Sequence, residues 1–408
     1  MPFSLARFGR RLMVFIAGLA VALVAAVAIL LLTMWLAHRA PITLPAPTGR
    51  FAVGRSMFVW TEAEAGKGAP QSASPGRQVI VWFWYPAVHS RNRGEYVPAS
   101  WRAALLQQQG LLMRTFFKRD PMVVQTHSAA EAPVSLERRA YPVVLLRAGG
   151  SALTTDFTTL AEDLASHGFF VVGFDAPGRS FVVVLPDGRV VARLPALNVE
   201  NANGNVADPV IGKLLGLWVS DTEFVVDQLH ALDAQTSGKF AGRMDLQRLG
   251  MVGHSFGGAV ALQFCHEDPR WKAAIDLDGI PFGTVVHDGL AKPAMFLLSD
   301  HSREMSDPAT YEVLARIKSI YSRLPEGRLY AVIRTANHFS FSDQILLNSP
   351  IVVRLLGLAG FGALDRRRGL AISADYVRAF FEVHLNGAPP GSLTRLAQEY
   401  PEVRTAGE

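Results

Sequence analysis

Gly250-Met251-Val252-Gly253-His254-Ser255-Phe256-Gly257-Gly258 is the stretch whose reading decides the fold. Residues 249–252 are apolar like a buried strand, and Ala259, Val260, Leu262, Gln263 and Phe264 continue past the Gly-x-Ser-x-Gly pattern as a helix. A serine on a sharp strand-to-helix turn needs small neighbours, because a Cβ beside it would strike the adjoining strand or helix. Glycine stands at 253 and 257. Such a turn lifts the Ser255 hydroxyl above the carboxyl edge of the sheet and aims the N-terminus of the next helix (residue 256 to about 267) at the same space. A five-residue pattern recurs by chance in a Gly-rich chain, but here the required strand and helix flank it. Ser255 is therefore the candidate nucleophile.

Outward from this turn, strands and helices alternate. Strand patterns cover residues 51–60, 78–85, 142–146, 169–174, 248–252, 271–277, 294–298 and 329–333; helical patterns cover 101–117, 157–166, 218–232 and 375–385. The first two strands predict an antiparallel pair at one sheet edge, joined through the Gly/Ala/Pro-rich residues 65–76. Residues 142–174 read as strand, Gly-rich loop, helix and strand, which is a right-handed parallel crossover. Residues 181–216 read as an irregular excursion over the site, and the helix at 375–385 closes the chain. The expected class is α/β, a mostly parallel sheet flanked by helices.

A serine hydroxyl needs a base within hydrogen-bond reach, itself oriented by a carboxylate. In this chain order of strands the partners follow as Ser, then Asp or Glu, then His. His338 lies just past the last strand, in Thr335-Ala336-Asn337-His338-Phe339, and is the expected base. His287 and His301 also fall in late loops, but neither follows the last strand. Two acids are open: Asp278, which ends the strand before Gly279, and Asp300, which follows the strand 294–298. Either could equally be a strand-end capping aspartate. The oxyanion donors expected of such a turn are the Phe256 N–H and one from Ala148-Gly149-Gly150.

The 408 residues, half hydrophobic and 18% charged, can bury a full core and are not disordered. A net charge of +5 without a basic, aromatic-interleaved stripe argues against a nucleic-acid partner. Cys265 is the single cysteine, so disulfides and cysteine metal knuckles are excluded, and no metal or organic cofactor is implied. Residues 12–37 carry no charged group and exceed the length needed to cross ~30 Å of hydrocarbon. Arg7, Arg10 and Arg11 precede them and only His38 and Arg39 follow, which predicts a single-pass anchor with a cytoplasmic N-terminus and the bulk of the chain on the periplasmic or extracellular side. A cleaved signal peptide would have a shorter apolar region. The expected division is an anchor at 1–40, a Pro-rich linker at 41–49 and a catalytic domain at 50–408.

Taken in order, Phe51-Ala-Val-Gly54, Val81-Trp-Phe-Trp-Tyr-Pro-Ala87, Asp163-Leu-Ala-Ser-His-Gly-Phe169, Gly253-His-Ser-Phe-Gly-Gly258, Leu277-Asp278-Gly279 and His338-Phe-Ser-Phe-Ser-Asp343 make the chain resemble the plasma-type (isoform II) platelet-activating factor acetylhydrolases and their bacterial relatives. The resemblance runs from about residue 47 to 390 and implies the α/β-hydrolase fold. It also implies a serine esterase that removes short or oxidised acyl chains from the sn-2 position of glycerophospholipids without calcium. It favours Asp278 over Asp300 as the acid and puts the second oxyanion donor on Gly149. One departure stands out: relatives carry His-Gly at the start of that loop, and this chain has Arg147-Ala148.

Two other readings remain open: a cutinase-like or general short-chain esterase acting on polyester or small esters, and a catalytically silent module that keeps the fold. The apolar residues 345–364, followed by Asp365 and the Arg366-Arg367-Arg368 run, suit an interfacial helix with a basic end or a buried flap over the pocket.

Overall fold

Fully apolar runs such as Val143-Val144-Leu145-Leu146 and Ala273-Ala274-Ile275 can form stable strands only where both sheet faces are covered. A computed structural model, which describes residues 5–62, 77–90, 92–150, 152–197, 209–358 and 363–405, shows that arrangement. The strands are β1 (Ile42–Thr43), β2 (Ala52–Thr61), β3 (Gln78–Ala87), β4 (Arg93–Glu95), β5 (Val124–Ala130), β6 (Tyr141–Arg147), β7 (Phe170–Asp175), β8 (Val182–Val184), β9 (Val190–Ala192), β10 (Met244–His254), β11 (Trp271–Leu277), β12 (Ala294–Leu298), β13 (Leu329–Ile333) and β14 (Val403–Thr405). Among the described residues one large sheet runs β1-β5-β2-β3-β7-β6-β10-β11-β12-β13-β14, with β4 paired to β5. Its centre, β7 to β13, is parallel throughout.

Helices cover both faces. They are α1 (Leu5–Arg39), α2 (Arg102–Gln109), α3 (Thr158–Ser166), α4 (Pro209–Asp233), α5 (Phe256–Glu267), α6 (Val285–Asp288), α7 (Pro308–Arg323), α8 (Gln344–Leu347), α9 (Pro350–Leu358), α10 (Arg366–Asn386) and α11 (Gly391–Glu399). On one face Leu160, Leu164, Tyr376, Val377, Phe380 and Phe381 of α3 and α10 pack on Val144, Leu146, Val252 and Ile275. On the other, Trp218 and Val225 of α4, Val260 of α5 and Ile317 of α7 pack on Val143, Leu145, Met251 and Ala274. Alternate side chains of each strand thus feed two separate cores, the period of two expected of a strand.

Several expectations change. The pair β2–β3 is antiparallel, but it is not at the edge, because β5 and β1 extend the sheet beyond β2. The expected helix over 101–117 stops at Gly110, whose φ of 76° no helix residue adopts, and a separate π-turn follows at Met113–Phe117. Its apolar spacing marks a buried face only before that glycine: Trp101, Ala104 and Leu105 are buried, whereas Leu111 and Leu112 are exposed. The excursion contains a β8–β9 hairpin, and α4 starts at Pro209 rather than near 218, proline being suited to the first helical position. Residues 65–76 and the 198–205 centre of the excursion lie outside the described residues.

The chain does not close on a single helix at 375–385. That helix is α10, which starts at Arg366 where the Asp365 carboxylate accepts from the Arg367 and Arg368 N–H groups, and α11 and β14 follow it. The arginine run is therefore the first turn of α10 and not the basic end of one apolar helix. Of residues 345–364, Ile345, Leu346 and Leu347 are buried in α8, 350–358 form α9, and 359–362 lie outside the described residues.

Phe8–Arg39 is long and apolar enough to cross a membrane, and its most apolar 18 residues are unburied. Its last turns meet the Met113–Phe117 turn, with Met34 buried there. The Pro-rich stretch after it is docked: Ala40 O accepts from Arg119 Nη1 at 2.7 Å, Leu44 N–H donates to Gln125 O at 3.0 Å, and Thr48 Oγ1 donates to Asp163 at 2.7 Å.

Phe381 is fully buried under β10, where any side chain on Gly250 would strike its ring. Truncation to alanine should cost about 3–5 kcal/mol. Urea unfolding of Phe381→Ala against the parent checks this, and a loss below about 1 kcal/mol would mean that α10 is not seated there.

Candidate active site

At the end of β10 the backbones of three elements touch. A Cβ on Gly253 would collide with the Gly257 carbonyl, one on Gly257 with the Arg147 carbonyl, and one on Gly258 with the Asp276 carboxylate. Ser255 is held at φ 56°, ψ −127°, a strained conformation for a residue with a side chain. Its N–H donates to Leu277 O at 2.9 Å and its carbonyl accepts from Gly258 N–H at 2.9 Å. Phe256 opens α5, so its N–H is one of the helix's unpaired N-terminal donors. Gly149, at the mouth of β6, lies against the serine: a Cβ added to it would sit 2.9 Å from Ser255 Cβ.

The base and acid come from neighbouring strand ends. Asp278 follows β11 at φ 52°, with its N–H on Leu297 O of β12 at 3.0 Å. Its Oδ2 receives His338 Nδ1 at 2.8 Å and Ser299 Oγ at 2.9 Å, and its Oδ1 receives the Ser299 N–H at 2.8 Å. Asp278 is 2% exposed while His338 is 42% exposed, so the acid is sealed and the imidazole reaches solvent. Burial pushes the Asp278 carboxyl up, but the hydrogen bonds from His301 and His338 overcome it and hold the group below the ordinary carboxylate range. With Nδ1 on the acid, Nε2 is the nitrogen His338 leaves for a reacting group.

Asp300 is not at His338. Its Oδ2 accepts the Thr335 N–H at 2.8 Å, and its own N–H donates to Ala336 O at 3.2 Å, so it fastens the turn that delivers His338. Asn337 caps the short helix that carries the histidine, accepting from Phe339 N–H at 2.9 Å. His254 backs the same loop: its Nε2 donates to His338 O at 2.8 Å, with the two rings 4.4 Å apart. Burial first, then the neighbouring His338, push the His254 imidazole down to about 3.

Ser255, His338, Asp278 and His301 share a cavity of about 610 Å³. One wall is apolar, from Ile280, Leu298, Val313, Leu314 and Ile317, and Glu304, Asp307 and Glu312 give another side carboxylates. His301, set aside in the sequence as a base because it does not follow the last strand, stands beside the acid instead. Its Nε2 is 3.1 Å from Asp278 Oδ1 and its Nδ1 is 2.9 Å from Glu304 Oε2. The only signal for it was a histidine one residue beyond a strand-end aspartate.

The Arg147 departure also has a place. Its side chain is buried on the α4 face, sandwiched 4.0 Å from the Phe174 ring and 4.2 Å from the Trp218 ring, with Nη1 donating to Phe174 O at 3.0 Å. Burial lowers the guanidinium to about 10. Arg147 thus supports the loop from the α4 side, while its carbonyl lies against Gly257 of α5.

Residues 223–388, which hold the serine turn, Asp278 and His338, match the family model "Platelet-activating factor acetylhydrolase, isoform II". Over this stretch the chain is similar to that family. A probable 1-alkyl-2-acetylglycerophosphocholine esterase from Arthroderma benhamiae is 26% identical over 88% of this chain and 92% of its own length. The Bos taurus platelet-activating factor acetylhydrolase is 25% identical over 60% of this chain and 57% of its own. A solved ferulic acid esterase from Streptomyces cinnamoneus superposes with a TM-score of 0.69 at 27% identity, over 90% of this chain and all of that one. The fold is that of the α/β hydrolases, and the chain is a serine-type carboxylic ester hydrolase.

His254, with its folded pKa lowered to about 3, binds a proton in the unfolded chain first. Its contribution to stability is complete above about pH 6.5 and is lost as pH falls from there toward about 3, at up to about 1.4 kcal/mol per pH unit. Denaturant unfolding from about pH 7 to 4 should therefore fall less steeply for His254→Gln than for the parent; parallel curves would show that His254 is not buried in neutral form.

Proposed function

We propose that Ser255, His338 and Asp278 form a catalytic triad for cleavage of short sn-2 acyl esters of glycerophospholipids. The observation that carries the triad is His338 Nδ1 on the sealed Asp278 carboxylate at 2.8 Å, at the mouth of the cavity that holds Ser255. Ser255 Oγ attacks the ester carbonyl while His338 Nε2 takes its proton. Asp278 orients the ring and stabilises the imidazolium that forms. The Phe256 and Gly149 N–H groups receive the oxyanion, and the short distance between Gly149 and the serine supports that role. His338 then returns the proton to the leaving alcohol, and a water repeats the sequence on the acyl-enzyme.

The phospholipid assignment draws on the activity for which the Arthroderma relative is named, whose match spans 88% of the chain, and on the apolar wall beside Ser255. The N-terminal helix serves as a retained single-pass anchor with a cytoplasmic N-terminus and the catalytic domain, residues 50–408, on the periplasmic or extracellular side. That arrangement holds the enzyme next to ester-bearing lipid. A second reading, a carboxylesterase for small or polyester substrates, is favoured by the full-length match to a ferulic acid esterase.

Hydrolysis of a short sn-2 acyl phosphatidylcholine, p-nitrophenyl butyrate and methyl ferulate by the full chain in detergent separates the readings. The triad proposal expects Ser255→Ala to lose at least about 10⁴-fold in kcat on every substrate and to escape fluorophosphonate labelling. Serine-dependent turnover of the two simple esters without the phospholipid would leave the triad and remove the lipid assignment. An unlabelled, inactive parent would point to a silent fold.

A further inference from the structure

We propose that His301 is a positioning residue for the acid of the proposed triad: held as an imidazolium between Asp278 and Glu304, it shares Asp278 with His338 and keeps His338 free to accept a proton at lower pH. The inference rests on the triad reading above. Its basis is geometric. His301 Nε2 faces Asp278 Oδ1 at 3.1 Å and Nδ1 faces Glu304 Oε2 at 2.9 Å. Ionised carboxylates accept hydrogen bonds and donate none, so each ring nitrogen must carry a proton and the ring is a cation. The same Nε2 is also 3.2 Å from Ser299 Oγ, which itself donates to Asp278 Oδ2. The hydrogen bond to Asp278 raises the His301 imidazole to about 9, with burial opposing it and the charges of Asp278 and Glu304 adding to it.

The surrounding charges support a cation at 301. Asp278 reaches it from the end of β11 and Glu304 from its own loop, while Asp307 at the N-cap of α7, Glu312 and Arg316 within α7, and His338 from beyond β13 line the same cavity. Asp300, beside it in sequence, is turned to the Thr335 N–H. Asp278 therefore meets one histidine on each oxygen. A fixed positive charge on Oδ1 weakens the pull of the carboxylate on a second positive charge at Oδ2. Without it, the His338 imidazolium would be favoured and the base would be lost at higher pH. A residue that only packed the loop would lower activity or stability without moving that pH.

The test is the pH profile of kcat/KM for p-nitrophenyl butyrate with the full chain in detergent. His301→Gln, which can keep one hydrogen bond but not the charge, should move the acidic limb upward by about one pH unit. Near pH 6 this is a further loss of about five- to tenfold, with the alkaline plateau within about threefold of the parent. His301→Lys, which restores a cation, should bring the limb back. Superposed limbs, or an equal displacement in both variants, overturn the proposal. Ser255→Ala in the same series separates the two levels: activity retained there defeats the triad, whereas an inactive Ser255→Ala with superposed limbs defeats only the role of His301. Should the variants not fold, the parent decides. Diethyl pyrocarbonate acylates unprotonated imidazole, so its rate at residue 301, read by mass spectrometry, should keep rising between about pH 7.5 and 9, and a flat rate there overturns the inference.

Discussion

The collision that any side chain on Gly253 would have with the Gly257 carbonyl is the constraint on which the site depends. It forces β10 and α5 into backbone contact, and Gly257 in turn brings α5 against the Arg147 carbonyl at the end of β6. Ser255 is strained because these contacts leave its backbone no relaxed alternative. The same contacts draw Gly149 against the serine. One close approach therefore sets the nucleophile, the start of α5 and the neighbouring loop at one point.

Charge is arranged around that point by unequal burial compensation. Asp276 and Asp278 are two residues apart, and both are buried. Asp276 receives the Gly279 N–H at 2.8 Å, and burial raises its carboxyl far above the usual range. Asp278 receives donors on both oxygens and is held ionised. A neutral acid under the turn avoids a second buried charge, so the negative charge at the histidines is concentrated on the carboxylate that touches them.

Much of this is legible in the sequence. Strands β11, β12 and β13 coincide with their apolar runs because buried parallel strands tolerate little else. The turn at Ser255 is legible because steric necessity leaves glycines behind it. What escapes is whatever depends on partners distant in the chain. The edge strands β1 and β14 are two and three residues long, and β5 inside them carries no apolar run, so their neighbours make them strands. The start of α10 lies under three arginines that hide it from any apolar pattern, and its cap, Asp365, becomes readable only with the helix in view. Asp278 and Asp300 have the same local signature, and the fold separates them by what each carboxylate reaches: imidazoles in one case, a backbone turn in the other.

His301 illustrates the same limit in a sharper form. No spacing rule relates residues 278, 301, 304 and 338, because the carboxylate comes from the end of one strand and the two imidazoles from loops after the next two. Adjacent parallel strands bring these loops together in fixed order, so each strand end adds one group to the same edge. The Arg147 departure follows the same logic in reverse. A side chain that looks misplaced beside an oxyanion loop is buried on the face covered by α4 and α5, between Phe174 and Trp218, and Trp218 in turn packs on Phe256. A strand's alternation of faces turns the side chain at 147 into the helix layer, so it acts on the serine turn through Trp218 and Phe256 rather than by entering the cavity.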